Sequence, residues 1–382
     1  MSGRKLLVVA GEASGDLHGG RLIEALLAAD PSFKIAGIGG DRMQAAGMTL
    51  IRHIRETCFM GFAEVVRHLG KIRRTFAEIM NYAREERPEL AVLIDYPGFN
   101  LRLGKRLKAL GIPVFYYIAP QVWAWHESRA QKMAAFVDRM AVIFPFEVDF
   151  FRRYGIDARF VGHPLMDGLQ ITLSRQEFFR WYDLDENAPL LAVFPGSRMQ
   201  EIDRLLPMLL KTAEKLKSQY PKLQIAVSIA ETISKQKMEV QVKGFPVHLV
   251  PGCAYELMAY ADAAVVKSGT STLEAACFET PFCLVYKVSP LSFAIGRRVV
   301  KIPHIGLVNI VAGRGIVKEF VQGDAVPDRL LPEVERLLFD AAYRQEIKSS
   351  LAGVKGLLGA PGASVRTASL ILEMLQEKRY AH

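Results

Sequence analysis

Short runs of apolar residues recur along the chain, separated by longer stretches in which apolar residues follow helical spacing. Uninterrupted apolar runs are typical of strands buried on both faces of a parallel sheet. They predict strands at 6–10, 34–38, 90–94, 114–118 and 139–144 in the first half, and at 190–194, 224–229, 247–250, 263–266 and 282–286 in the second. Strands that alternate with helices predict the α/β class, with two doubly wound, Rossmann-like domains facing each other across a cleft.

The interval between the two sets of strands predicts the domain organisation. Residues 167–187 are polar and aromatic, and we interpret them as the linker. We expect an N-terminal domain at 1–168 and a C-terminal domain at 169–345, followed by a helical tail at 346–382.

A loop of small residues, Ser268–Thr272, separates the apolar run 263–266 from a helical stretch. Backbone N–H groups of such a loop can face an anion such as phosphate. Glu274 either complements the helix dipole or accepts hydrogen bonds from a ribose. The same pattern also occurs in tight connections that bind nothing. A similar junction at Pro195–Arg198, after the strand 190–194, favours a ligand shared by the two loops.

Strand ends in the first half also carry candidate site residues. The loop Gly11–Asp16 is either a substrate-binding turn or an ordinary turn in which Ser14 or Asp16 caps the next helix. Asp95 follows an apolar strand, where α/β enzymes keep catalytic groups, although it could instead cap a helix. Trp123 and Trp125 either line a pocket or belong to the core.

The segment 60–87 has apolar residues at helical spacing, interleaved with arginine and lysine. It is either an amphipathic helix packed on the core with a solvated basic face, or a surface that rests on an anionic membrane.

Composition and charge narrow the class of protein. Half of the residues are hydrophobic and 23% are charged, which is typical of a globular chain. The net charge of +9 favours anionic partners: nucleotide phosphates, nucleic acid or an acidic membrane. No apolar run is long enough to span a bilayer, and the N-terminus lacks a signal-peptide pattern. The four cysteines are scattered, which predicts thiols in a reducing cytoplasm.

Several motifs together resemble one family. They are GEASGD at Gly11–Asp16, IDYPGFN at Ile94–Asn100, PQVWAW at Pro120–Trp125, FPGSR at Phe194–Arg198, SGTSTLEAA at Ser268–Ala276 and VNIVAGR at Val308–Arg314. In order and spacing they are similar to the lipid-A-disaccharide synthases, glycosyltransferases with the GT-B fold.

The resemblance implies a reaction. A UDP-linked 2,3-diacylglucosamine donates its sugar to 2,3-diacylglucosamine 1-phosphate, giving a β-1,6-linked disaccharide 1-phosphate and UDP, a step of lipid A biosynthesis. An α-linked donor and a β-linked product mean inversion, which needs a base but no protein nucleophile.

Roles for individual residues follow from the same resemblance. Asp95 is the expected catalytic base, and neither a cofactor nor a metal is expected, since the only Asp-x-Asp, at 183–185, falls in the linker. The expected UDP-binding residues are Ser197, Arg198, Gly269, Thr270, Ser271 and Glu274. The expected substrate-binding residues are Ser14, Gly15, Asp16, Gln121 and Asn309.

Acylated substrates shift the interpretation of the segment 60–87 towards membrane docking. The expected docking residues are Phe62, Val66, Leu69, Arg73 and Arg74. We therefore expect a cytoplasmic enzyme peripherally associated with the anionic inner membrane. Family members can form homodimers that exchange C-terminal parts, so the tail either packs back on the N-terminal domain or is exchanged.

Two other functions fit parts of the pattern. A UDP-sugar epimerase on the same fold would need a working histidine, and His163 is the one candidate, although its neighbour Pro164 favours a structural role. A nucleic-acid-binding protein fits the positive charge alone. Because no nucleic-acid-binding motif is present, no nucleic-acid partner is expected.

Overall fold

The computed structural model describes residues 4–56, 69–125, 127–299 and 302–380. The chain forms two compact units. Unit 1 contains Met1–Asp167 and Leu358–His382, and unit 2 contains Gly168–Leu357.

Unit 1 is built on a seven-stranded parallel sheet with the order β3-β2-β1-β4-β5-β6-β7. The central strands are buried, apart from the half-buried Lys5 at the start of the first, because helices cover both faces of a doubly wound sheet. The strands are β1 (Lys5–Ala10), β2 (Lys34–Gly39), β3 (Thr49–His53), β4 (Leu90–Ile94), β5 (Val114–Tyr117), β6 (Arg139–Val142) and β7 (Asp157–Phe160).

Helices of unit 1 connect these strands and provide the other half of its core. They are α1 (Ala13–Ala29), α2 (Asp41–Ala45), α3 (Leu69–Glu86), α4 (Pro97–Ala109), α5 (Val122–Trp125), α6 (Ser128–Ala134) and α7 (Pro145–Arg152). Helix α3 packs its apolar face inward: Ile79 and Met80 are buried, and Phe76 meets Phe99 edge-on at 5.5 Å between ring centroids.

Unit 2 has a six-stranded parallel sheet with the order β10-β9-β8-β11-β12-β13. Its strands are β8 (Leu190–Phe194), β9 (Gln224–Ile229), β10 (His248–Pro251), β11 (Ala263–Lys267), β12 (Phe282–Tyr286) and β13 (Glu319–Val321). Its helices are α8 (Arg175–Trp181), α9 (Met199–Gln219), α10 (Lys235–Gln241), α11 (Ala254–Tyr260), α12 (Ser271–Cys277), α13 (Pro290–Val299), α14 (Leu307–Ala312), α15 (Pro327–Phe339) and α16 (Ala341–Leu357).

The last helix, α17 (Ala363–Tyr380), returns to unit 1 and packs against α1. Arg139, at the start of β6, donates to Glu377 at 3.1 Å and forms an ion pair with Glu373 at 3.3 Å. The side chain of Arg366 donates to the carbonyl of Val161 at 2.8 Å. These contacts hold the C-terminal helix on unit 1, whereas α16, which spans the expected boundary at 345, belongs to unit 2.

All ten predicted strands exist, within one or two residues of the expected bounds. The prediction missed β3, β7 and β13, each of which forms an edge of its sheet. Edge strands are covered less completely, and the residues of β3 and β7 are mostly half-buried, so these segments lack an uninterrupted apolar run. Among the helices of the described ranges, none combines the length and apolar character that crossing a bilayer requires.

Candidate active site

A cavity of about 550 Å³ lies within unit 2, at the carboxyl ends of its strands. Ligands of open α/β sheets bind at this edge because the loops and helix N-termini converge there. The structure brings six predicted residues together in its lining: Ser197, Arg198, Gly269, Thr270, Ser271 and Glu274.

The junction between β8 and α9 forms one side of the cavity. The backbone N–H of Ser197 donates to the Glu201 carboxylate at 3.2 Å, and Thr232 donates to the Ser197 carbonyl at 2.7 Å. Gly196 has a φ of 125°, and a Cβ there would lie 2.6 Å from the Glu201 carboxylate, so glycine lets this loop close. The Arg198 side chain is 63% exposed and lines the cavity.

The junction between β11 and α12 also borders the cavity, next to the first junction, because β8 and β11 are neighbouring strands. The backbone N–H of Ser268 donates to Val285, and its hydroxyl donates to the Ile305 carbonyl at 3.2 Å. Glu274 lies in the first turn of α12, as predicted. Burial raises the pKa of Glu274, while hydrogen bonds from Ser271 and Tyr255 oppose that rise. These hydrogen bonds fix one side of the loop to the protein, and the other side of the loop borders the cavity.

Asp95 lies in unit 1, directly after β4, in a strained backbone conformation. Asp95 and Tyr96 both have a positive φ, 42° and 50°, which non-glycine residues rarely adopt. The Asp95 carbonyl accepts hydrogen bonds from the Tyr116 hydroxyl at 2.7 Å and from Asn100 Nδ2 at 2.8 Å. A Cβ on Gly11 would lie 2.2 Å from the Tyr96 ring, so glycine is needed there. The surroundings thus impose the turn that places the carboxyl group.

The environment of the Asp95 carboxyl changes its acidity. Burial raises its pKa from 3.8 to about 6; the negative charge of Glu12 adds to the rise, and the Tyr96 backbone N–H opposes it. Glu12 follows β1, and β1 and β4 are neighbouring strands. A carboxyl group with a pKa near 6 is suited to accept a proton near neutral pH.

The loop after β1 does not use Ser14 or Asp16 to cap the helix that follows it. Helix α1 begins at Ala13, so Ser14 is exposed within its first turn and Gly15 is buried against Ala10. Asp16 does not cap α1. It is 5% exposed and accepts hydrogen bonds from the N–H groups of Gly40, Arg42 and Met43, so it caps α2 instead. Because α1 begins as early as Ala13, the Asp16 carboxylate faces the loop that precedes α2. Gln121 is exposed before α5.

Asn309 lies in α14 and is fully buried. Its Nδ2 donates to Val317 at 2.9 Å and to Glu319 at 2.8 Å, and its Oδ1 accepts from the N–H groups of Ile316 and Val317. Both ends of the Asn309 amide are therefore used within the protein. Asn309 therefore supports the neighbouring loops, and it is not among the residues that line the cavity.

Other predicted residues have simpler outcomes. His163 is buried, accepts a hydrogen bond from the Leu165 N–H at 3.1 Å, and its pKa is lowered to about 4, mainly by burial. Trp123 donates to the buried carboxyl group of Glu147 at 3.0 Å. Within the described ranges, no three His, Cys, Asp or Glu side chains group closely enough to bind a metal ion.

The predicted docking segment is only partly described. Phe62 and Val66 lie outside the described residues, as does the side chain of Leu69. Arg73 and Arg74 are exposed on α3, and Arg74 pairs with Glu78 at 3.2 Å.

Sequence reasoning missed four residues that shape these sites: Asn100, Tyr116, Glu201 and Lys267. Lys267 ends β11 and donates to Glu201 at 2.7 Å inside the cavity. Lys267 could have been identified from the sequence, because it is a lysine at the carboxyl end of an apolar strand. Tyr116 lies within an apolar run, where sequence alone does not distinguish a polar contact from packing.

Two units, each built on a parallel sheet with helices, have the fold of the GT-B glycosyltransferases. The predicted fold class is therefore confirmed. The calicheamicin glycosyltransferase CalG4 has a TM-score of 0.61 and 17% identity, over 98% of this chain and 99% of that one. The glycotransferase of kitacinnamycin has a TM-score of 0.65 and 16% identity, over 98% and 100%. UDP-GlcNAc 2-epimerase from Neisseria meningitidis, bound to UDP-GlcNAc, has a TM-score of 0.63 and 12% identity, over 98% and 100%. At these identities the likeness shows the fold alone.

The family follows from sequence. Residues 6–354 match the lipid-A-disaccharide synthetase family. Lipid-A-disaccharide synthase of Trichlorobacter lovleyi is 41% identical over 376 residues, 98% of both chains. That of Syntrophus aciditrophicus is 43% identical over 380 residues, 99% of both chains. The chain belongs to the lipid-A-disaccharide synthetase family, which confirms the predicted family.

Proposed function

We propose that this enzyme joins UDP-2,3-diacylglucosamine to 2,3-diacylglucosamine 1-phosphate, forming the β-1,6-linked lipid A disaccharide 1-phosphate and releasing UDP. The observation that carries the proposal is identity above 40% to lipid-A-disaccharide synthases over nearly the whole chain. The cavity in unit 2, which gathers all six of the expected UDP-binding residues, supports it independently.

The UDP group of the donor binds in this cavity. The Arg198 guanidinium forms charge-assisted hydrogen bonds with the diphosphate oxygens. The N–H groups of the loop that precedes α9, a helix of 21 residues, add a positive field at the same place. Glu274 accepts hydrogen bonds from the ribose hydroxyls. These groups stabilise the charge that develops on UDP as it leaves, without a metal ion.

Asp95 supplies the base. The 6-hydroxyl oxygen of the acceptor forms a bond to the anomeric carbon while the bond from that carbon to the UDP oxygen breaks. The hydroxyl proton passes to the Asp95 carboxylate, and the electron pair of the broken bond leaves with UDP. Because attack and departure occur on opposite sides of the carbon, the configuration inverts.

The decisive assay uses the purified full-length chain with both acylated substrates and measures UDP release and the disaccharide product, with and without a chelator. We expect turnover only when the acylated acceptor is present, and equal rates with the chelator. Conversion of UDP-N-acetylglucosamine to its C2 epimer, without acceptor, would instead identify an epimerase. Absence of disaccharide from both acylated substrates contradicts the proposal.

Replacing Arg198 with alanine tests the phosphate contact. We expect UDP affinity to fall on the order of 10–100-fold, because a charge-assisted hydrogen bond to phosphate is lost. Calorimetric titration with UDP measures it. Arg180→Ala, an exposed arginine of α8 in the same unit, is the matched control and should leave affinity unchanged. Equal affinity of the Arg198 variant and the wild type would remove this residue from the phosphate site.

The pH dependence tests the acidity of Asp95. Since only the ionised carboxylate accepts a proton, kcat/KM should rise as the pH passes through about 6 and then level off. Glu12→Gln removes a negative charge that raises this pKa, so its acid limb should move to lower pH. Glu24→Gln, an exposed residue of α1, is the control. An unshifted limb in the Glu12 variant would show that another group controls the profile.

We propose that the enzyme docks on the anionic inner-membrane surface, where acylated substrates reside, and the exposed basic face of α3 supports this proposal. Reversing charge at Arg73 and Arg74 should reduce sedimentation with anionic vesicles at least about tenfold, at roughly 1 kcal/mol per basic residue. The pair Arg84→Glu and Arg87→Glu makes the same charge change at and just beyond the other end of α3. If both pairs reduce binding equally, total charge and not this face drives association.

A homodimer could form by exchange of the segment 358–382, since a second copy would offer Arg139 and Val161 the same partners that α17 offers here. Sedimentation analysis of the full chain distinguishes a monomer from such a dimer.

A further inference from the structure

Glu201 joins the two loops that border the cavity in unit 2. One carboxylate oxygen accepts the Ser197 N–H at 3.2 Å, and the other accepts the Lys267 ammonium at 2.7 Å. The side chains of Glu201 and Lys267 are 16% and 21% exposed, so the pair is largely shielded from solvent. A partly buried pair holds its geometry better than an exposed one.

The Lys267 ammonium lies directly beside the glycine of the second loop. Its nitrogen is 3.7 Å from the position that a Cβ on Gly269 would occupy. An ammonium group has three N–H donors, and within the described residues Glu201 is the one hydrogen-bond partner of Lys267. Two donors are thus left for acceptors that enter the cavity beside Gly269.

The charges around the cavity indicate that these two donors bind an anionic ligand. Among the described lining residues, Arg198 and Lys267 are the cations, and they share the cavity with Glu201, Glu231, Glu256 and Glu274. A multiply charged diphosphate needs more than one cation in such surroundings, since nearby carboxylates repel it. Glu256 is already engaged by Thr172 and Leu173.

We propose that Lys267 is a second phosphate-binding cation of this site, and that Glu201 positions it beside the loop. The inference rests on the proposed UDP site. Lys267 contacts the diphosphate from the end of β11, beside Arg198, whose guanidinium lies 3.8 Å from the same Glu201 oxygen. The Glu201 carboxylate keeps the ammonium group at the cavity wall when no nucleotide is bound.

The test measures affinity of the full-length chain for uridine, UMP and UDP by calorimetry. Lys267→Met should weaken UDP binding on the order of tenfold to hundredfold and leave uridine within about twofold, because the lost contact is to phosphate alone. Lys267→Arg should retain most of the UDP affinity. Lys287→Met, the lysine that directly follows the next strand, lies outside this cavity and is the matched control.

A double variant separates two explanations of a weaker UDP affinity. In Lys267→Met alone, the Glu201 carboxylate would lose its nearer cation, keep only Arg198 at 3.8 Å, and itself repel phosphate. Combining it with Glu201→Gln removes that charge, and we expect the double variant to bind UDP still about tenfold more weakly than the wild type.

Return of the double variant to wild-type UDP affinity, or equal weakening of uridine and UDP by Lys267→Met, would overturn the inference while leaving the UDP site standing. Failure of the wild type to bind UDP at all would overturn both.

Discussion

Asp95→Asn should lower turnover by roughly 10²–10⁴-fold, the usual contribution of a general base. Asparagine has almost the same shape and tolerates the left-handed backbone that Asp95 adopts at a φ of 42°. The hydrogen bonds from Tyr116 and Asn100 go to the backbone carbonyl and therefore persist. The substitution thus removes proton acceptance and little else, which steady-state rates with both acylated substrates would measure.

Two further measurements make this prediction specific. UDP affinity should stay at the wild-type value, because Asp95 belongs to unit 1 and the nucleotide cavity to unit 2. Asp183→Asn, an exposed aspartate with a φ of 53°, should not change turnover. Loss of UDP binding in proportion to turnover would remove Asp95 from the chemistry.

The same variant should not destabilise unit 1. Burial raises the folded-state pKa of Asp95 to about 6, above its value of 3.8 in the unfolded chain. The folded state therefore binds the proton more tightly, so this group's contribution to stability falls as pH rises from about 4 to 6. At neutral pH the ionised carboxylate opposes folding, and a neutral amide removes that cost. Thermal unfolding of Asp95→Asn at or above the wild-type temperature would agree with this account.

Asn309→Ala should lower the free energy of unfolding by about 2–4 kcal/mol, because three buried backbone groups of Ile316 and Val317 lose their partner and the half-buried Glu319 loses a donor. The effect should extend to the cavity. Glu319, which Asn309 contacts, also accepts the N–H groups of Ile305 and Gly306, and the Ile305 carbonyl in turn accepts the Ser268 hydroxyl. We therefore expect weaker UDP binding as well, by an indirect route.

Chemical denaturation and UDP titration check the two effects separately. Asn309→Asp should destabilise further, since it replaces a donor with a charge beside Glu319. Asn187→Ala, at an exposed position, serves as the control and should change the free energy of unfolding by less than about 0.5 kcal/mol. A stable Asn309→Ala protein that binds UDP normally yet fails in turnover would instead restore the expected direct contact with substrate.

Some features of the fold and the site are encoded in local sequence patterns, and others are not. Strands β8, β9 and β12 were predicted at their observed bounds because each is an apolar run between polar turns. The two loops that border the cavity, Pro195–Arg198 and Ser268–Thr272, were predicted because small residues at the end of an apolar strand form a local pattern. The alternative in which Asp16 caps α1 is not realised, because its hydrogen-bond partners, Gly40 and Met43, come from the next βα unit.

The amino-acid sequence by itself determined the class of fold, the strands of both sheet interiors, the family, and which loops carry polar and small residues. All of these are local properties of spacing and composition, or of motif order. Only the tertiary structure decided that Asn309 is consumed by internal hydrogen bonds, that Asp95 is strained and partly desolvated, and that Lys267 pairs with Glu201. Burial and pairing arise from residues that are distant along the chain, and so no local pattern encodes them.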